Sequence, residues 1–229
     1  MKTSEKTGLI KQNLKDNNPE ASLSTLNNAT QADLRDLQFL TCANDVQRAL
    51  KNNDQALIYA ELLKTEHPDK PVGFIRTAQE LMALQCTAKA VAVIEEGLEQ
   101  FPNHPNVLTA AHQVFSSTED RERSLTYAQR LCQEAPEKPV GFIRTAQDQY
   151  KMDRWDDALK TVQDGLERHP GNLQLLTIGI DSARQTHNTE ASLLFAQSLI
   201  KIQPNKSTWY WRAAQDLLRL GRFNESQEI

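Results

Sequence analysis

The sequence predicts an all-α solenoid, a row of antiparallel helix pairs repeating at a fixed period. Three observations carry that prediction. A ten-residue stretch, Lys70 to Gln79, returns letter for letter as Lys138 to Gln147, and a drifted copy begins at Lys206, at the same spacing again. The prolines halve that spacing: Pro68, Pro102, Pro136, Pro170 and Pro204 lie 34 apart, and so do Pro71, Pro105 and Pro139. Between them, small and large apolar residues recur at helical spacing. A fixed period of this size marks stacked units, each burying its apolar face against its neighbours. Proline lacks an amide donor and clashes inside a helix, so a regular series marks where helices stop and start.

The bulk properties agree. Apolar residues make up 39% of the 229, below the usual ~45–50%, a figure that also counts glycine. A thin two-layer array needs less core than a sphere. The net charge of −4 offers no basic footprint for nucleic acid and no polybasic membrane anchor. Cys42, Cys86 and Cys132 are odd in number and show no paired spacing, which predicts reduced thiols in a cytoplasmic protein. The polar N-terminus leads into no apolar stretch of signal-peptide type. No apolar run approaches the ~20 residues that span a bilayer, so membrane insertion is not expected.

Taken in order, residues 1–30 predict a degenerate hairpin that caps the array. Leu9, Ile10 and Leu14 would line its first helix, and Asn18 and Pro19 would open a second carrying Leu23 and Leu26. Residues 31–229 predict the array itself, with units starting near 36, 70, 104, 138, 172 and 206, the last incomplete. Each unit reads as helix A, a turn, helix B and a closing proline. Two kinds alternate, so the exact repeat is a pair of units. In the first kind, helix A carries Leu40-Thr41-Cys42-Ala43, Leu108-Thr109-Ala110-Ala111 or Leu176-Thr177-Ile178-Gly179. Its helix B carries Ala56-Leu57-Ile58-Tyr59-Ala60, Ser124-Leu125-Thr126-Tyr127-Ala128 or Ser192-Leu193-Leu194-Phe195-Ala196. The second kind opens with the ten-residue stretch, and its helix B carries Gly97 or Gly165. A helical glycine costs ~1 kcal/mol relative to alanine, so its recurrence predicts close approach of a neighbouring helix. Asn53 or Asp54, Thr87, Thr118, Asp153 and Thr189 are the expected N-caps of the B helices.

These residues resemble the tetratricopeptide repeat (TPR) family over about residues 31–229. The family pattern asks for a large residue early in helix A and a small one four later, as in Phe74 and Ala78, Phe142 and Ala146, and Tyr210 and Ala214. It asks for a glycine and an aromatic at the turn, met by Gly221 and Phe223, and for the regularly spaced closing prolines. The first kind of unit departs by shifting its small residue to Ala43, Ala111 and Gly179. The resemblance implies a right-handed superhelix with A helices lining a concave face, and a role in binding a peptide or another protein.

By that resemblance the groove is lined by helix A positions not needed for hairpin packing. In the second unit these are Val72, Ile75, Gln79 and Met82; in the fourth, Val140, Ile143, Gln147 and Tyr150; in the last, Trp211 and Gln215. The intervening units add Asp45, Arg48 and Gln113, among others. Carboxamides both donate to and accept from a peptide backbone, which points to an extended segment or a partner helix as ligand. Arg76, Arg144 and Arg212 recur at one position. They either grip carboxylates of a ligand or pair with acids on adjacent helices. Of the consecutive rings Trp209, Tyr210 and Trp211, one must face outward, as a contact anchor or as cover for a further unit. Co-chaperones that clasp the C-terminal carboxylate of heat-shock proteins use Lys and Asn where this chain has Ile75 and Gln79, so that role is not expected.

No histidine has a ligand partner at helical spacing, and no nucleophile elbow, P-loop or dinucleotide fingerprint is present. The segment is therefore expected to be non-catalytic, with neither cofactor nor metal. It reads as a protein- or peptide-binding scaffold, with a terminal unit able to pair with a second copy. The alternative is the N-terminal recognition or oligomerisation arm of a larger enzyme, such as a bacterial surface-polysaccharide glycosyltransferase, because the last helix B begins only at Phe223.

Overall fold

A computed structural model describes residues 1–228, and among them every regular element is a helix. By internal packing the chain divides into two compact units, Met1–Glu119 and Asp120–Ile229. The first holds α1 (Thr3–Lys15), α2 (Leu23–Asn27), α3 (Leu37–Ala49), α4 (Asn53–Glu66), α5 (Pro71–Ala83), α6 (Thr87–Gln100) and α7 (Pro105–Ser117). The second holds α8 (Arg121–Glu134), α9 (Val140–Lys151), α10 (Trp155–Arg168), α11 (Leu173–Gln185), α12 (Thr189–Ile202), α13 (Ser207–Arg219) and α14 (Phe223–Glu228). Consecutive helices pack on one another from α3 to α7 and from α8 to α14, and α1 packs on α3. From α3 onward, odd numbers are A helices and even numbers B helices.

The prolines act as the sequence requires. His67, Phe101, Ala135, His169 and Gln203 close the B helices with φ between −127° and −139° and ψ between 56° and 68°. A proline follows each of them, and its ring forces the preceding residue out of the helical region.

The A-to-B turns show a second periodic device. Asn17, Lys51, Gln85, Glu119, Asp153 and His187 all have φ between 55° and 61°, and Gly221 has φ 73°. These positions advance in step with the prolines, starting at Asn17, so α1 carries the same turn as the later A helices. The next amide reaches back five positions, as from Asn52 to the Gln47 carbonyl (2.9 Å) and from Cys86 to the Leu81 carbonyl (2.8 Å). This is a left-handed C-terminal cap that satisfies an orphan carbonyl.

That geometry corrects the expected N-caps. Thr118 closes α7 instead, its hydroxyl donating to the Phe115 carbonyl at 2.9 Å. Asp153 is the left-handed residue itself. Asn53, Thr87 and Thr189 are already first helical residues, and the caps are Asn52, Cys86 and Asn188. Asp120 and Asn188 accept from Arg123 N and Ala191 N, at 3.1 Å each.

The two kinds of unit use opposite large–small pairings. In the second kind the ring is on helix A and the gap on helix B: a Cβ on Gly97 would lie 3.0 Å from Phe74 Cβ, and one on Gly165 2.9 Å from Phe142 Cβ. In the first kind the gap is on helix A: a Cβ on Gly179 would lie 2.9 Å from the Phe195 ring of α12. The shifted small residue is thus the complement of a B-helix aromatic, and Tyr59 packs on the cluster of Ala43 in the same way.

Gly73 and Gly141 serve a different contact. A Cβ on Gly73 would meet the Lys64 backbone of α4, and one on Gly141 would lie 2.7 Å from Cys132 N of α8. The third copy of that position is Trp209, 6% exposed. In α13 the buried large–small pair is therefore Trp209 and Ala213, not Tyr210 and Ala214. In the N-terminal stretch Ile10 and Leu26 are buried against Phe39 of α3, whereas Leu9 is exposed. The buried Asp33 ties the segment together, accepting from Lys6 Nζ (2.5 Å), Thr3 Oγ1 (2.7 Å) and Thr30 N (2.7 Å).

Candidate functional site

In the first unit the A helices α3, α5 and α7 present one face with two adjoining hollows, of about 460 and 420 Å³. The larger has an apolar floor of Ala78, Met82, Ala83, Ala110 and Val114. The other runs toward the N-terminal ends of α5 and α7, along Val72, Ile75, Arg76, Asn106 and Thr109. Arg48, Gln79, Ala110 and Gln113 line both, so the two form one trough. Of the expected groove residues, Val72, Ile75, Arg76, Gln79, Met82 and Gln113 lie together here.

The formal charges that line the trough are the guanidinium groups of Arg48 and Arg76; His104, at one end, accepts from Asn106 N through Nδ1 at 3.2 Å. Arg76 is engaged within the fold. Its Nη1 donates to Asn44 Oδ1 and Asp45 Oδ1 of α3, each at 2.5 Å. Arg48 Nε lies 3.2 Å from Glu80 Oε1, and its side chain keeps 43% of its surface exposed. Asn44, fully buried, also donates to the Ala56 carbonyl at 2.8 Å. A buried carboxylate therefore holds the base of Arg48, while Nη1 of its fork donates to Gln79 Oε1 across the trough at 3.4 Å.

The second unit repeats this lattice at the matching positions of α11 and α13. Arg212 Nη1 donates to Asp181 Oδ1 at 2.7 Å, and Arg184 Nη2 to Asp216 Oδ1 at 3.1 Å. Arg212, like Arg76, is thus tied to an acid on the adjacent A helix, the structural alternative for the recurrent arginine. Burial pushes the Arg144 guanidinium below its ordinary value, with the nearby Asp148 charge opposing.

Sequence reasoning missed the carboxylates under these arginines. Glu80, Asp148 and Asp216 are 2%, 3% and 0% exposed. The Ser124 and Ser192 hydroxyls donate to Asp148 and Asp216. The available signal was an acid recurring at one position of helix A in each unit of the second kind.

The second unit brings fewer expected residues together. Gln147 lines two smaller hollows, of about 340 Å³ with Ile178 and Trp209 and about 190 Å³ with Tyr150, Lys151 and Asp181. Ile143 is 8% exposed and packs with Ala146, Val162 and Leu175, so it is core rather than lining. Trp211 is the outward ring, 60% exposed, and with Val140 and Gln215 it lines none of these four hollows.

Burial pushes the Cys42 and Cys132 thiols up, away from nucleophilic thiolate. Among the described residues no group of three or more His, Cys, Asp or Glu is placed to hold a metal ion. No helix there is long and apolar enough to cross a membrane.

Helix pairs of constant period, closed by proline and stacked with a trough along their A helices, define a helical-repeat solenoid. Its fold is that of the tetratricopeptide repeat. The crystal structure of PilW, described as a type IV pilus biogenesis factor, superposes with a TM-score of 0.70 at 16% identity, covering 94% of this chain and 98% of that one. The C-terminal part of a TPR repeat-containing protein from Cytophaga hutchinsonii gives 0.73 at 13% identity, over 96% and 88%. YrrB, described as a TPR protein with an unusual peptide-binding site, gives 0.60 at 14% identity, over 78% and 92%. In sequence the chain is 23% identical over 150 residues to the STIP1 homolog of Dictyostelium discoideum, which covers 63% of this chain and 27% of that protein. The chain thus spans about a quarter of that relative's length. No protein-family model matches the chain.

Proposed function

We propose that this chain is a protein- or peptide-binding scaffold, and that the trough along α3, α5 and α7 is its docking surface. The observation that carries the reading is the continuity of the two hollows through Gln79 and Gln113. The Gln113 carboxamide can pair with both the N–H and the C=O of an extended backbone, and the Gln79 amide, whose Oε1 accepts from Arg48, can donate to a C=O, while Val72 and Ile75 supply apolar contact. The description of YrrB as a peptide-binding TPR protein supports the same class of ligand. A trough of this kind serves equally a free-standing scaffold or the recognition arm of a larger enzyme.

The test begins with peptides selected from a display library on the purified chain. Their affinities are then compared for wild type and Gln79→Ala/Gln113→Ala. Two hydrogen-bonding side chains at ~0.5–1.5 kcal/mol each sum to about 1–3 kcal/mol, a weakening of roughly 5- to 150-fold. Unaltered affinity would refute the reading.

A further inference from the structure

The identical ten-residue stretches give α5 and α9 the same helix, with Gln79 and Gln147 in matching positions. Their surroundings do not match. Met82, Ala83, Ala110 and Gln113 around the first become Tyr150, Lys151, Ile178 and Asp181 around the second. The hollow shrinks from about 460 to about 190 Å³. Sites that bury most of a drug-sized ligand run from about 300 to 1,000 Å³; the first hollow reaches that range and the second does not. Met82, Ala83 and Ala110 leave the first open, where Tyr150, Lys151 and Ile178 narrow the second. The charges differ as well. Arg48 alone is charged around the first hollow, whereas Lys151 and Asp181 stand at the second, the latter held by Arg212.

We propose that the α5–α7 hollow is the specificity pocket of the chain and that its α9–α11 counterpart is not a docking point. The proposal rests on the trough reading above. The pocket takes one large apolar side chain, aromatic or leucine, from an extended peptide. The half-exposed Arg48 side chain, which reaches Gln79 across the trough, selects an acidic residue beside that side chain and rejects a basic one. Residues 82, 83 and 110 set the specificity, and the repeated stretch only supplies the backbone partner.

The experiment uses fluorescein-labelled Ser-Gly-Ser-Phe-Asp-Ser-Gly, with Ala replacing Phe or Lys replacing Asp, and fluorescence anisotropy against the purified chain. Burying or losing a phenyl group predicts roughly 10- to 100-fold tighter binding of the Phe-Asp peptide than of the Ala-Asp peptide. The Phe-Lys peptide is expected to be at least ~10-fold weaker than Phe-Asp. Two variants import the second hollow's residues into the first: Ala83→Lys/Ala110→Ile, and Met82→Tyr at a half-buried position that spares the fold. Both should abolish the preference for Phe, while Tyr150→Met/Ile178→Ala leaves it unchanged. Equal affinity for Phe and Ala peptides, or insensitivity to Met82→Tyr, would overturn the proposal. If all peptides bind alike and Gln79→Ala/Gln113→Ala weakens each of them, the trough stands and the pocket falls. If none binds, the pocket falls on that result too.

Discussion

Replacing Gly73 by Ala and Gly8 by Ala is the same chemical change in two helix interiors, with opposite expected signs. In α1, a Cβ on Gly8 would meet nothing within 4 Å. Only helix propensity acts there, and the change should stabilise by ~0.5–1 kcal/mol. In α5, a Cβ on Gly73 would lie 2.5 Å from Lys64 N and 2.8 Å from Leu63 C. These are backbone atoms of α4 and cannot rotate aside, so α5 must move off α4. Overpacking of one methyl group costs about 1–3 kcal/mol, and rigid neighbours place this case at the upper end. Subtracting the propensity gain of ~1 kcal/mol leaves a net loss of about 2 kcal/mol. Gly97→Ala should fall between the two, because its contact at 3.0 Å is with the Phe74 side chain. Urea unfolding followed by far-UV circular dichroism gives the ranking, with the slope checked for equality across variants. If Gly73→Ala proves neutral or stabilising, the close approach of α4 and α5 is wrong.

Two further outcomes are expected. Burial would by itself raise the Asp33 carboxyl, but the hydrogen bonds from Lys6, Thr3 and Thr30 outweigh it and hold the carboxyl well below the usual carboxylate range. Because the folded value is depressed, this stabilisation is complete above the unfolded value near ~4 and is lost as the pH falls below it. Protection factors of the amides in residues 1–35, each referred to the intrinsic exchange rate at the same pH, should therefore fall below about pH 4, and Asp33→Asn should show lowered protection already at pH 7, costing ~3 kcal/mol locally. Lys51→Gly and Gln85→Gly, at left-handed positions outside the helices, should each stabilise by about 0.5–1 kcal/mol in urea melts; a loss would contradict the left-handed turn.

Helix positions were legible because proline and the small–large alternation act locally. The caps were not. The left-handed residue at 51, 85 or 119 is Lys, Gln or Glu, which carry no sequence sign of positive φ. The reading therefore placed Thr118 one turn element too early. Tyr210 rather than Trp209 was read as the buried ring because two earlier copies hold glycine at the Trp209 position, pressed against the preceding helix, and only the packing shows the indole buried there. The trough residues in α5 were readable from their register. Its floor was not: Ala78, Ala110 and Val114 look like core until the hollow above them is seen. The identical stretches made two sites look equal, and the residues that separate them lie just beyond the stretch, Met82 and Ala83 against Tyr150 and Lys151, and on the next helix, Ala110 against Ile178.

The central claim is that the face of α3, α5 and α7 holds an extended peptide. Its most direct test is NMR of the labelled chain titrated with a selected peptide, following the Gln79 and Gln113 side-chain amides and the Met82 methyl. The account predicts that these three signals shift together and saturate at one affinity. Shifts confined to B-helix surface residues, such as the exposed Leu194 of α12, would contradict it.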